Sequence, residues 1–143
     1  MKGKLHILKQ VERAAERNAS TARRGFEEAE RRREVAAEAL EEAIEARERA
    51  RDAERSLTRQ GATAAELAML SASATRQDEA VHAAKANAKS AARAVDSARA
   101  GWMEAQREQQ RSERVYEKAK QQRRVDALAK EQRELDDRRV RGE

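Results

Sequence analysis

The chain has 143 residues, of which 41% are charged and 2% aromatic, with one Trp, one Tyr, one Phe, no Pro and no Cys. So few bulky side chains exclude a thick globular core, and the absence of cysteine excludes disulfides and thiolate metal sites. The net charge of +5 comes from 32 basic and 27 acidic residues interleaved along the chain, which does not make the one-sided basic stripe of a nucleic-acid binder.

What remains is mostly Ala, Glu, Arg, Lys, Gln and Leu, the strongest helix formers, and no proline interrupts them. That composition marks a coiled coil or long helix. A chain this polar also suits disorder, so the pattern of apolar residues has to decide.

The opening residues Leu5, Ile7 and Leu8 give way at once to Lys9, Glu12 and Arg13. This apolar run is too short for a signal peptide, and no window approaches the roughly 18 apolar residues of a membrane span. A cytoplasmic protein without membrane insertion is expected.

The first helix is predicted over about residues 3–60. Leu8, Ala15, Ala22, Ala29, Ala36, Ala43, Ala50 and Leu57 hold one seven-residue phase without a miss. A patchier companion column contains Val11, Ala19, Phe26, Ala39 or Leu40, and Ala46. A strict heptad places one stripe along the helix and imposes a left-handed supercoil with a partner. Glu27–Arg31, Glu28–Arg32 and Glu45–Arg49 are spaced i, i+4 with the acid first, the orientation that favours a helix.

A turn follows at about 61–63. Gly61 suits the left-handed position that ends a helix. Thr63 and Glu66, three apart before Leu67, read as a capping box that starts the next one.

The second helix is predicted over about 64–140. One column runs Leu67, Ala74, Val81, Ala88, Val95, Trp102, Gln109 and Tyr116. Its neighbour runs Leu70, Gln77, Ala84, Ala91, Ala98, Ala105, Ser112 and Ala119. Reflected about residue 62, the first of these columns falls on the Leu8-to-Leu57 column of the first helix. Leu57 then faces Leu67, Ala22 faces Trp102 and Leu8 faces Tyr116. Large against small is how facing layers interdigitate.

The expected fold is therefore all-α, an antiparallel two-helix coiled-coil hairpin with a longer second helix, in a single domain over residues 1–143. About 58 residues of first helix span roughly 87 Å at about 1.5 Å per residue. Residue 123 faces Met1, so about 20 C-terminal residues lack a partner in this register. There the apolar positions shift phase to Val125, Leu128, Ala129, Leu135 and Val140, as expected of a helix built for another surface.

Little in the chain points to catalysis. His6 and His82 stand too far apart to share a metal, and no HExxH, P-loop or glycine-rich phosphate cradle exists among only five glycines. The carboxylates lie on solvated helix faces with no pocket to shift them. A non-enzyme without cofactors is expected. Arg31-Arg32-Arg33 reads as solvated helix face. Arg123-Arg124 and Arg138-Arg139-Arg141 lie on the tail, where residues 105–143 carry 12 basic and 9 acidic groups, and an acidic protein surface is their expected target.

The order of these features resembles the FliJ/YscO family of type III secretion, small stalk proteins of flagellar and virulence-type export. Leu5-His6-Ile7-Leu8-Lys9-Gln10-Val11-Glu12 is similar to the family's opening "L..LK.l.E", and Lys130-Glu131-Gln132-Arg133-Glu134-Leu135-Asp136-Asp137 to its closing "E.K.LDE". The long first helix, the turn near 61 and the longer second helix complete a resemblance over nearly the whole chain. The first helix departs from several flagellar members in lacking aromatics before Phe26.

The resemblance implies a hairpin like the coiled-coil part of a rotary-ATPase γ subunit, a monomer before assembly. Its paired termini enter the ring of the hexameric export ATPase and the remainder reaches the export gate; some members bind export chaperones. Carried onto this chain, the ATPase-binding end is implied to hold Leu5, Leu8, Arg13, Arg17, Arg123, Arg124, Lys130, Arg133 and Leu135. The gate-binding end is implied to hold Leu57, Leu67, Met69 and Leu70. The alternatives are a self-associating coiled-coil scaffold or chaperone, in which residues 125–140 pair between copies, and a basic nucleic-acid-coating protein.

Overall fold

A computed structural model describes residues 2–142. It contains two helices, α1 (Lys2–Gln60) of 59 residues and α2 (Ala64–Val140) of 77 residues, paired antiparallel as a coiled-coil hairpin with the longer helix second.

The turn between them is built from the signals expected of it. Gly61 adopts φ 83°, where an L side chain is strained. Its N–H donates to the Thr58 carbonyl at 3.4 Å, and the Ala62 N–H donates to the Leu57 carbonyl at 3.1 Å. These two bonds form a Schellman motif and satisfy carbonyls that the helix end leaves free. Thr63 then caps α2: the Glu66 N–H donates to its hydroxyl at 3.2 Å and the Leu67 N–H to its carbonyl at 3.0 Å. Only this hydroxyl arm of the expected capping box forms among the described residues. Glu66 still places a negative charge in the first turn of α2, which the helix dipole favours. Gly142, at φ 77°, ends α2 in a similar way, its N–H donating to the Arg139 carbonyl at 3.2 Å.

The packing follows the heptads. Every member of both expected α2 columns is buried or half-buried, and so is every member of the Leu8-to-Leu57 column of α1. Val81 and Val95 are the most enclosed, 2% and 1% exposed. The companion column of α1 differs from expectation at its start. Val11 is exposed, and Glu12, seven residues before Ala19, occupies the seam with its side chain 17% exposed. Periodicity outweighs hydrophobicity here, because the Ala19 and Phe26 phase fixes which residue one heptad earlier turns inward. The Glu12 carboxylate is met by Lys9 Nζ at 3.2 Å. The same ammonium lies 4.8 Å from the centre of the Tyr116 ring, so a cation–π contact across the seam covers the charge. Further along the column Leu40 rather than Ala39 turns inward.

The hairpin divides into two compact units. The first joins Met1–Arg23 to Gly101–Glu143, and the second is Arg24–Ala100. Each contains its own antiparallel helix pairing. In the first, Lys9 meets Tyr116, and Trp102 lines one cleft with Ala19 and Arg23. In the second, the Arg99 guanidinium lies 5.6 Å from the centre of the Phe26 ring, and Arg51 bridges to Asp78 at 3.1 Å. Lys9 with Tyr116 and Phe26 with Arg99 stand at nearly equal distances from residue 62, the register anticipated from the two columns, while the long Arg51 side chain reaches a residue further along α2. On the helix surfaces the expected Glu28–Arg32 pair forms at 2.7 Å. Near the end of α2 the Arg141 side chain donates to the Asp137 backbone carbonyl at 3.4 Å. Exposed pairs of this kind contribute little individually.

Candidate docking site

Alanine seams bury little area per layer, so the surfaces left over offer open clefts rather than pockets. One, of about 790 Å³, lies in the second unit, where Val35, Ala39 and Ala43 of α1 meet Ala80, Ala83 and Ala84 of α2. Methyl groups on both sides leave this groove shallow. The Glu28–Arg32 pair stands at its edge.

In the first unit, Leu5 of α1 packs beside α2 and opens a cleft of about 510 Å³. Its apolar floor is Leu5, Ala119 and Ala127, and its rim carries Lys4, Arg123 and Lys130 against one carboxylate, Asp126. Gln122 donates to that carboxylate at 3.1 Å and orients it. An apolar floor under three cations suits a side chain that is greasy at its base and carboxylate-bearing at its tip.

Beyond Leu5 the seam side of α2 turns polar. Apart from half-buried Ala129, every described residue from 121 onward is exposed. Val125, Leu128 and Leu135 are among the exposed large apolar residues of the chain, with Leu128 at 66%. At about 100° per residue they lie roughly on the side of α2 opposite Ser112, Tyr116 and Ala119, which face α1. The tail therefore carries two surfaces: a basic cleft continuing the seam, and an apolar stripe on its back.

The nine residues implied for ATPase binding do not converge on one patch. Leu5, Arg123 and Lys130 line the same cleft. Leu8 lies in a separate cleft with Val11, Ser112 and Val115. Arg124, next to Arg123 in sequence, turns about 100° away and flanks the apolar stripe to which Leu135 belongs. Arg13 and Arg17 are exposed on α1, and Arg133 is exposed on the tail. Lys4 and Ala127 of the cleft were not anticipated. Reflection about residue 62 could have found Lys4, since it sets residue 4 against residue 120. Val125 and Leu128 lie with Leu135 in the exposed stripe, as expected from their shifted phase, whereas Ala129 is half-buried.

Of the residues implied for gate binding, Leu57, Leu67 and Leu70 are half-buried around the turn, where they close the seam, while Met69 points outward and is 74% exposed. Met69 is thus the one member of this set free to make an external contact.

Among the described residues, no group of His, Cys, Asp or Glu is arranged to hold a metal ion, and no helix is long and apolar enough to cross a membrane. A family model described as flagellar FliJ protein matches residues 5–142. No curated protein and no solved structure matches the chain.

Proposed function

Since the chain belongs to the FliJ family, we propose that it serves as the stalk of a type III export apparatus, entering the hexameric export ATPase ring with its paired ends and linking that ring to the export gate. It works there as a non-enzymatic cytoplasmic protein at the base of the apparatus. The observation that most supports this is the helical tail beyond Leu5, with an apolar stripe of Val125, Leu128 and Leu135 on its back and the Leu5–Arg123–Lys130 cleft beside it.

Exposed Leu and Val in a chain this polar contribute nothing to the hairpin, but they supply hydrophobic contact area to a partner. The cations around the cleft steer the same end toward acidic surface and fix its register. Leu5, Arg123 and Lys130 make the cleft contact, Leu135 and Arg124 the stripe contact, and Leu8, Arg13, Arg17 and Arg133 the periphery. At the turn, Met69 makes the gate contact while Leu57, Leu67 and Leu70 hold the tip closed. Export chaperones are further partners of this class of stalk.

The test compares the full chain with residues 1–123 in binding to the purified export ATPase hexamer and in its hydrolysis rate. The full chain should bind and raise hydrolysis, and loss of residues 124–143 should weaken both by at least tenfold while leaving the melting of the hairpin nearly unchanged. Equal binding by both forms would overturn the assignment of the tail to the ring.

The seven-residue step between Leu128 and Leu135 also favours a self-associating scaffold as the alternative. Three apolar residues over two heptads are too few for a stable dimer, which is why the stalk is preferred. Sedimentation over a hundredfold concentration range separates the two, since only the scaffold dimerises.

A further inference from the structure

The five glycines of the chain fall into two kinds. Gly61 and Gly142 end helices at positive φ, and Gly3 lies in the opening turn of α1. Gly25 and Gly101 are different, because each sits deep inside a long helix. A glycine there weakens helix propagation about fivefold relative to alanine.

Nothing in the chain itself requires glycine at either place. Neither residue has positive φ. A Cβ built on Gly25 or Gly101 would meet no atom within 4 Å. Alanine, the residue that dominates the rest of both helices, would fit at both.

The two positions do coincide with another feature. The border between the compact units crosses α1 between Arg23 and Arg24, and α2 between Ala100 and Gly101. Each helix thus carries its one deep interior glycine within two residues of its own crossing. The seam residue immediately after each glycine is an aromatic anchored in one unit. Phe26 stacks with Arg99 in the second. Trp102 packs in the first, beside a cleft of about 220 Å³ shared with Ala19, Ser20 and Arg23.

We propose that Gly25 and Gly101 are matched soft points, one in each helix, at which the helix backbone opens locally. Glycine inside a helix has more conformational freedom to regain and less side-chain cover over its backbone, so the helix opens more easily there than at alanine. The bulky neighbours keep each unit's own packing intact, so opening is confined to the backbone near the glycines. The inference holds whichever partners the tail and turn engage.

Hydrogen–deuterium exchange on the full chain tests it, comparing the native sequence with Gly25→Ala, Gly101→Ala and the double variant. In the native chain, amides of residues 24–28 and 100–104 should exchange at least tenfold faster than those around Val81. Each alanine should slow exchange about fivefold at its own site and leave the amides around Val81 unchanged. Slow exchange at both glycines in the native chain would overturn the proposal. So would a slowing spread evenly along the chain, or no slowing at either site.

Discussion

Val95 and Val35 are the same side chain with opposite duties. Val95 is 1% exposed in the seam, and Val35 is 65% exposed above the alanine groove. Removing two buried carbons at Val95 forfeits about 0.8 kcal/mol each and leaves a void between alanine layers that cannot collapse far. The better helix propensity of alanine returns about 0.5 kcal/mol. Val95→Ala should therefore destabilise the hairpin by about 1–2 kcal/mol in urea unfolding. Val35→Ala, where only propensity acts, should stabilise it by about 0.5 kcal/mol. Equal effects at the two positions would contradict the burial pattern. Glu12 makes a related point: a charge is tolerated in the seam because Lys9 and the Tyr116 ring cover it, with the Lys9 ammonium serving both contacts.

At the level of elements, the turn does more than join two helices. Its three residues end one helix and start another with bonds from Gly61, Ala62 and Glu66, so the register of the whole hairpin is set from this point outward. Gly61→Ala places a Cβ in the left-handed region at about 1–2 kcal/mol. Thr63→Ala removes the cap of α2 at about 1 kcal/mol. Both should lower the unfolding midpoint, and by more than an alanine at exposed Ser71, which neither caps a helix nor lies in the seam. If Gly61→Ala proved neutral, the left-handed helix end would not exist in solution. The tail of α2 contrasts with this ordered start. It has helical propensity and the Gln122–Asp126 and Gln132–Asp136 hydrogen bonds but few buried side chains, so its stability rests on propensity and on any partner it meets.

For the molecule as a whole, the antiparallel register is the claim on which the rest depends. Ser20 and Gln106 are exposed and line the same cleft in the first unit. Because the chain has no cysteine, spin labels can be placed at these two positions alone. They should report one short distance, set by the roughly 8–10 Å between packed helix axes and the label arms. Dilution with unlabelled protein should leave that distance unchanged. Its disappearance on dilution would mean that the helices pair between molecules. The hairpin has a matched seam and an unmatched, exposed tail. That division is consistent with a stalk that is stable alone and binds through its end.

The pairing of the helices was legible in the amino-acid order because heptad periodicity is local and repetitive. Each seam position of α2, from Leu67 to Ala119, could be named from spacing, and Gly61 with Thr63 located the fold because end-capping depends on residues adjacent in sequence. Val11 and Glu12 show where spacing ran out: which of two neighbours turns inward depends on phase inherited from distant heptads, and whether a charge survives there depends on Lys9 and on Tyr116 from the other helix. The candidate site was legible only in pieces. Arg123 and Arg124 look like one cluster in sequence, yet helical rotation sends one to the Leu5 cleft and the other to the back of the tail. The exposure of Leu128 followed from the register, which leaves the tail uncovered, but the gathering of Leu5, Lys4 and Lys130 around one cleft was decided only by the tertiary structure, because it depends on how the end of α1 meets α2.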